Sequence, residues 1–455
     1  MKHLSIRNLF ILLSVAVSSV STVFAQDKIP YEMMVSGVKV IVQPSGNEIV
    51  QIQTIIKGGV QNYPAAKAGI EQLAIRGLTE CGTVNDDKNT FKNKLDKVSA
   101  YINGFSSNDY ASINLNCIKE DLPKIWSLYI DALTAPAFNE KDFDRIKANA
   151  INNIKLRNSQ PDAAINQMAK RVAFRGKDYA KDPLGTEASV TALTAAEVKN
   201  YYYSIVNKNQ MFVVVVADID KSELTSMLTP LLSKFPEGKP FVLKRNNYVP
   251  TANSFAAEKK ELATNYIMAV GGAPLAGTKD YNAFLLAMRI LYDRHFLEVR
   301  TKNGLSYAPS ANFNGGLTAS SAIAVSTTDP NKYIAVVSKL IDSTRKNGFS
   351  EEEVKNMKTG YITTLYYNQE TNGAQASSLA SNEVLHNNWR RAITLNDDMK
   401  NITAKDVSNA FNKYMTNLTW VYQGDSAKAN PALFTRKVVK EKLPPASMIK
   451  TRAKQ

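Results

Sequence analysis

Two periodicities alternate along this chain. Residues 38–42 and 49–56 are nearly continuous apolar runs of strand length, the pattern of strands buried in a sheet. Helical spacing of three and four takes over near 66–80 and 88–99. Residues 100–105 and 110–117 read as a strand pair joined across Ser106-Ser-Asn-Asp109. Helices follow at about 120–133, 139–158 and 161–175, and Asp182-Pro-Leu-Gly185 breaks the chain. A helix near 195–206 leads to a buried strand at 211–217 and a last helix near 220–233. The order then starts again. A strand at 265–271 precedes a long helix at 279–301, strands near 305–313 and 318–326, and helices at 330–346, 350–367 and 371–388. A helix at 403–415 and a strand at 418–423 close the pattern.

The recurrence extends to residues. Phe138-Asn-Glu-Lys-Asp-Phe-Asp-Arg-Ile-Lys147 resembles Phe349-Ser-Glu-Glu-Glu-Val-Lys-Asn-Met-Lys358 at an offset of 211. Leu193-Thr-Ala-Ala-Glu-Val-Lys-Asn200 resembles Ile402-Thr-Ala-Lys-Asp-Val-Ser-Asn409 at an offset of 209. Each segment opens with a capping residue followed three positions later by an acid: Asn139/Asp142, Ser350/Glu353, Thr194/Glu197 and Thr403/Asp406. Two matches in order at nearly one offset predict an internal duplication. The expected fold is α+β: two tandem homologous domains, each a mostly antiparallel sheet with helices packed on one face. Residues 26–235 form the first domain, 236–258 a linker around Phe235-Pro-Glu-Gly-Lys-Pro240, and 259–427 the second domain.

Composition narrows the class. The 455 residues are 44% hydrophobic and 21% charged, an ordinary globular balance, and two cysteines are too few for a disulfide scaffold. Residues 1–25 read as a secretory signal peptide: Lys2 and Arg7, an apolar stretch from Leu9 to Val20, and the cleavage pattern Val23-Phe24-Ala25. The expected location is therefore the periplasm. There, a Cys81–Cys117 disulfide and two separate buried thiols both remain open. The net charge of +15 is concentrated at the end, where residues 428–455 form a basic tail. The tail could meet an anionic membrane surface, although a solvated tail is the simpler reading. No nucleic-acid motif accompanies the charge, so no nucleic-acid partner is expected.

Only three histidines occur, His3, His295 and His386, and no two lie at helical spacing. That count matters because the duplicated halves resemble the insulinase/pitrilysin-type zinc peptidases, including the mitochondrial-processing-peptidase branch. The resemblance rests on Lys67-Ala-Gly-Ile-Glu-Gln-Leu-Ala-Ile-Arg-Gly-Leu-Thr-Glu-Cys-Gly-Thr83, on Asp182-Pro-Leu-Gly185 and on Leu305-Ser-Tyr307, in that order. In that family, H-x-x-E-H on the first core helix binds zinc, and its Glu activates the metal-bound water. Here Gln72 and Arg76 replace the histidines and Ile75 replaces the base. Asn153 replaces the downstream Glu ligand. Arg cannot ligate zinc and Ile cannot move a proton. The expectation is no cofactor in this chain.

A second family segment is retained. In Asp293-Arg-His-Phe-Leu-Glu-Val-Arg300-Thr-Lys-Asn-Gly-Leu-Ser-Tyr307, Arg300 and Tyr307 match an Arg/Tyr pair that points toward the zinc site. On residue chemistry alone, an Arg at a helix C-terminus and a Tyr in a strand need no function. The resemblance implies more: contacts to the carbonyl or oxyanion of a peptide substrate, made in trans while a partner subunit bearing H-x-x-E-H supplies the zinc. It also leaves room for a catalytically inactive, peptide-binding homologue.

Overall fold

The computed structural model describes residues 29–436. The signal-peptide reading at 1–25 and most of the basic tail lie outside these residues. Among the described residues, no helix is long and apolar enough to cross a membrane.

The first half contains β1 (Tyr31–Val35), β2 (Val38–Pro44), β3 (Ile49–Lys57), α1 (Ile70–Glu80), α2 (Lys88–Asp96), β4 (Tyr101–Ser106) and β5 (Tyr110–Ile118). It continues through α3 (Leu122–Thr134), α4 (Glu140–Ser159), α5 (Pro161–Ala173), α6 (Glu187–Thr191), α7 (Ala195–Ile205), β6 (Met211–Ala217) and α8 (Lys221–Leu232). The second half contains β7 (Asn246–Asn247), β8 (Ser254–Lys259), β9 (Asn265–Gly271), α9 (Asp280–Phe296), β10 (Ser310–Asn314) and β11 (Thr318–Thr327). It ends with α10 (Pro330–Asn347), α11 (Glu351–Tyr367), α12 (Asn372–His386), α13 (Arg391–Lys400), α14 (Ala404–Tyr414), β12 (Leu418–Gly424) and α15 (Pro431–Phe434).

The two sheets have one topology. The first runs β1-β2-β6-β3-β5-β4 and the second β8-β12-β9-β11-β10, so β2, β6, β3, β5 and β4 correspond in turn to β8, β12, β9, β11 and β10. Within these orders only β2–β6 and β8–β12 pair parallel. The α+β duplication expected from the sequence is therefore present. The caps that announced it form as well. Thr194, Ser350 and Thr403 make reciprocal capping boxes, and the Asn139 side chain accepts from the Asp142 N–H.

Several elements depart from the sequence reading. Strand β8 lies in the stretch read as linker. It is an edge strand with little burial alternation, so its pattern resembles loop. Strand β1 and helix α13 are additional. The helix expected at 279–301 is α-helical only to Phe296; Leu297–Lys302 then form a π-helical turn.

Helices of each domain pack on one face of its own sheet, and the opposite face receives a helix from the other domain. Helix α5 lies on β9 and β12, and α12 lies on β3 and β6. The period of two along β9 shows how. Ile267 and Ala269 belong to the second core, whereas Val270, with Tyr266 and Met268 beside it, packs with the first. Ala376, Leu379, Ala380 and Val384 of α12 complete the first core. Polar contacts fasten the exchange. Lys39 Nζ meets Glu383 at 2.8 Å, and Trp389 Nε1 donates to Glu32 at 2.6 Å. In the β4–β5 turn, the buried Asp109 carboxylate accepts from the Tyr179 hydroxyl and, at 3.0 Å, from the Leu317 N–H of the second domain.

Candidate functional site

Helix α1 carries three of the four positions that the sequence reading matched to the family's zinc site, and each side chain is engaged locally. The Gln72 side-chain oxygen accepts the Ser106 N–H at 3.0 Å, tying α1 to the end of edge strand β4. Ile75 is buried against Gly104 of the same strand. Arg76 donates to Glu80 through Nε at 3.1 Å and a terminal nitrogen at 2.8 Å, and Arg145 closes on the other Glu80 oxygen at 3.2 Å. Asn153 sits exposed on α4. One neutral amide, one hydrocarbon, one paired guanidinium and one exposed amide do not suit a divalent cation. Among the described residues, no group of three or more His, Cys, Asp or Glu side chains gathers elsewhere.

Sequence reasoning passed over Glu71, the neighbour of Gln72. It is fully buried and accepts from the Asn62 amide at 2.9 Å, the Tyr201 hydroxyl at 2.7 Å and the Ser106 hydroxyl at 2.8 Å. Burial raises its pKa to about 7 against the pull of those hydrogen bonds. The signal in the sequence was an acid within an otherwise apolar helix face.

The two histidines among the described residues, His295 and His386, pack against tyrosines. His295 is 1% exposed, and its Nε2 is 3.1 Å from the Tyr333 hydroxyl. His386 stands edge-on to Tyr281. Burial lowers both pKa values to about 4, with Arg391 and Arg245 adding to the effect at His386. Cys81 and Cys117 are separate buried thiols, which settles the open alternative; burial raises their pKa values to about 12 and about 11.

The second domain brings Arg300 and Tyr307 together. Arg300 lies in the π-helical turn, which ends at Asn303-Gly304; Gly304 adopts φ 60°. Tyr307 is in the loop before β10, not on the strand as the sequence reading had it. The Arg300 guanidinium donates to the Tyr307 carbonyl at 3.0 Å. It also lies 4.1 Å from the Tyr307 ring centroid and 4.9 Å from that of Phe296. Tyr307 is 79% exposed, so its ring stands in solvent with Arg300 against its face. Arg294, six residues earlier, is instead an anchor. It grips Glu353 with two hydrogen bonds, at 2.9 and 2.8 Å, and also donates to the Gly348 carbonyl.

These features define a duplicated α+β scaffold in which the four matched positions hold no metal-binding set. The family model described as insulinase (peptidase family M16) matches residues 39–187, and that described as peptidase M16 inactive domain matches residues 192–361. The chain belongs to the M16 insulinase family. It is 20% identical over 318 residues to the non-peptidase homolog YmxG of Helicobacter pylori, covering 68% of this chain and 72% of that one. It is 21% identical over 403 residues to cytochrome b-c1 complex subunit 1 of Caenorhabditis elegans, covering 84% of each. A solved M16 inactive domain from Pseudomonas fluorescens superposes with a TM-score of 0.80 at 17% identity, over 88% of this chain and all of that one. The periplasmic protease PqqL of Escherichia coli superposes with a TM-score of 0.75 at 14% identity, over 93% of this chain and 51% of that one.

Proposed function

We propose that this chain is the non-zinc subunit of a periplasmic, two-chain insulinase-type peptidase. A partner bearing H-x-x-E-H supplies zinc, and Arg300 and Tyr307 of this chain contact the peptide. The observation that carries this reading is the Arg300–Tyr307 stack: a guanidinium held against the ring of a solvent-exposed phenol. Groups fixed in this way can donate to a carbonyl oxygen as it becomes an oxyanion, with little reorganisation. Two comparisons support the reading: the subunit role in the name of the nematode relative and the compartment in the name of PqqL.

The test is to mix the purified chain with an M16 protein carrying H-x-x-E-H and follow cleavage of an unstructured peptide. Cleavage should require both chains, and Arg300→Ala and Tyr307→Phe should each lower kcat by about 10- to 100-fold. Unchanged rates in both variants would remove the catalytic role. A second reading is a peptide-binding homologue with no catalytic partner, favoured by the name of the Helicobacter relative. It predicts peptide binding that is indifferent to both substitutions.

A further inference from the structure

A cleft of about 510 Å³ opens between the C-terminal turn of α4, helix α5, the loop after it and the segment leading into α1. Its walls hold four cations, Arg157, Arg171, Lys177 and Lys181, and two acids, Asp178 and Asp182. Both acids are already paired. Asp182 holds Arg157 at 2.5 Å, and Asp178 holds Lys181 at 2.8 Å. Arg171 and Lys177 have no carboxylate partner among the described residues. Lys177 Nζ lies 5.9 Å from the centroid of the Tyr248 ring. The cleft is thus a concavity with two positive charges that no carboxylate compensates, both on exposed side chains. Such a surface gains when an anion with several acceptor oxygens enters.

We propose that this cleft is a binding site for a small oxyanion, a carboxylate or phosphate, held by Arg171 and Lys177. Its volume exceeds what a bare ion needs and falls in the range of ligand pockets, leaving room for a residue or two attached to the anion. Its position suits the end of a peptide. Arg157 lies one helical turn beyond Asn153 on α4, and Ala68 on the wall lies two residues before the start of α1. The cleft therefore adjoins the two helices that carry the metal-site positions. The inference does not depend on the Arg300–Tyr307 reading, because those residues lie in the other domain.

The test is thermal unfolding of the full chain at fixed ionic strength with three probes: inorganic phosphate, tri-alanine with a free C-terminus, and tri-alanine amide. A saturable rise in Tm with phosphate or with the free acid supports the site. If the acid binds and the amide does not, the source is a peptide C-terminus; a response to phosphate alone makes it free phosphate. Arg171→Ala with Lys177→Ala should weaken binding by about tenfold or more. Ala65→Glu, which places a tethered carboxylate at the cleft wall, should raise Tm and abolish the response to added anion. The proposal is overturned if neither phosphate nor the free acid gives a saturable shift, if the double variant binds as tightly as the parent, or if Ala65→Glu retains the full response.

Discussion

The side-chain oxygen of Gln72 accepts the backbone N–H of Ser106 at 3.0 Å, so a residue that the sequence reading matched to a zinc ligand holds the last residue of an edge strand. Gln72→Ala removes that acceptor. Hydrogen exchange at the Ser106 amide should accelerate, and stability should fall by about 1 kcal/mol. Exchange unchanged at Ser106 would show that the bond does not hold the strand end.

A zinc site built on the matched positions needs ligands at 72, 76 and 153, with the base at 75 serving catalysis alone. Gln72→His with Arg76→His alone leaves Ile75 and Asn153 unsuited to the chemistry, so calorimetry should detect only weak zinc binding. Adding Ile75→Glu and Asn153→Glu should tighten it by at least about tenfold. Equal affinity for the double and quadruple variants would mean that α4 does not present residue 153 to α1.

Burial of His295 gives stability a defined pH dependence. Its folded pKa, about 4, lies below the ordinary histidine value, so the native state favours the neutral ring. Its contribution is complete above the unfolded pKa and is lost as pH falls from about 6.5 toward about 4. The loss is on the order of 3 kcal/mol. His386 titrates in the same direction. Urea unfolding between pH 7 and 4 should show this loss, and His295→Gln should flatten the slope. A parental slope in that variant would assign the acid sensitivity elsewhere.

Glu71 acts in the opposite sense. Its folded pKa is raised to about 7, so its contribution is full below about 4.5 and is lost as pH rises through about 7. Glu71→Gln keeps a side-chain oxygen for Asn62 and Tyr201 and removes the buried charge. It should raise Tm at pH 8 relative to the parent and change it little at pH 5. A lower Tm at pH 8 would show that the carboxylate's hydrogen bonds outweigh its desolvation.

The bond from Leu317 N–H to Asp109 joins the domains where two turns meet. Asp109→Ala leaves that N–H and the Tyr179 hydroxyl without their acceptor. The expected destabilisation is on the order of 3 kcal/mol, with faster exchange at Leu317. A change below about 0.5 kcal/mol would mean that water replaces the carboxylate.

What was legible in the sequence were the features that local chemistry writes. The four capping pairs marked real helix starts, and the apolar run at β6 marked a strand buried along its whole length. Strand β8 was hidden because a half-exposed edge strand with little alternation resembles a loop. The π-helical turn was hidden because its residues are good helix formers, and only packing widens the turn. With it went the location of Tyr307, in a loop and not a strand. The absence of zinc ligands could be read from residue types, whereas the partners taken up by Gln72 and Arg76 could not. Periodicity shows which face of α5 and α12 is apolar; it does not show that each covers the sheet of the other domain.

That exchange bears on how such a chain could arise. Before duplication, a half-length ancestor would have had no second sheet of its own for the helix corresponding to α5. Two copies crossing those helices would have satisfied both, as a homodimer with matching sites. Joining the copies would make the pairing permanent and free each half from resembling the other. One half could then lose its metal chemistry without losing the fold, because what holds the halves together is the reciprocal covering of their sheets and not the site that either one carries.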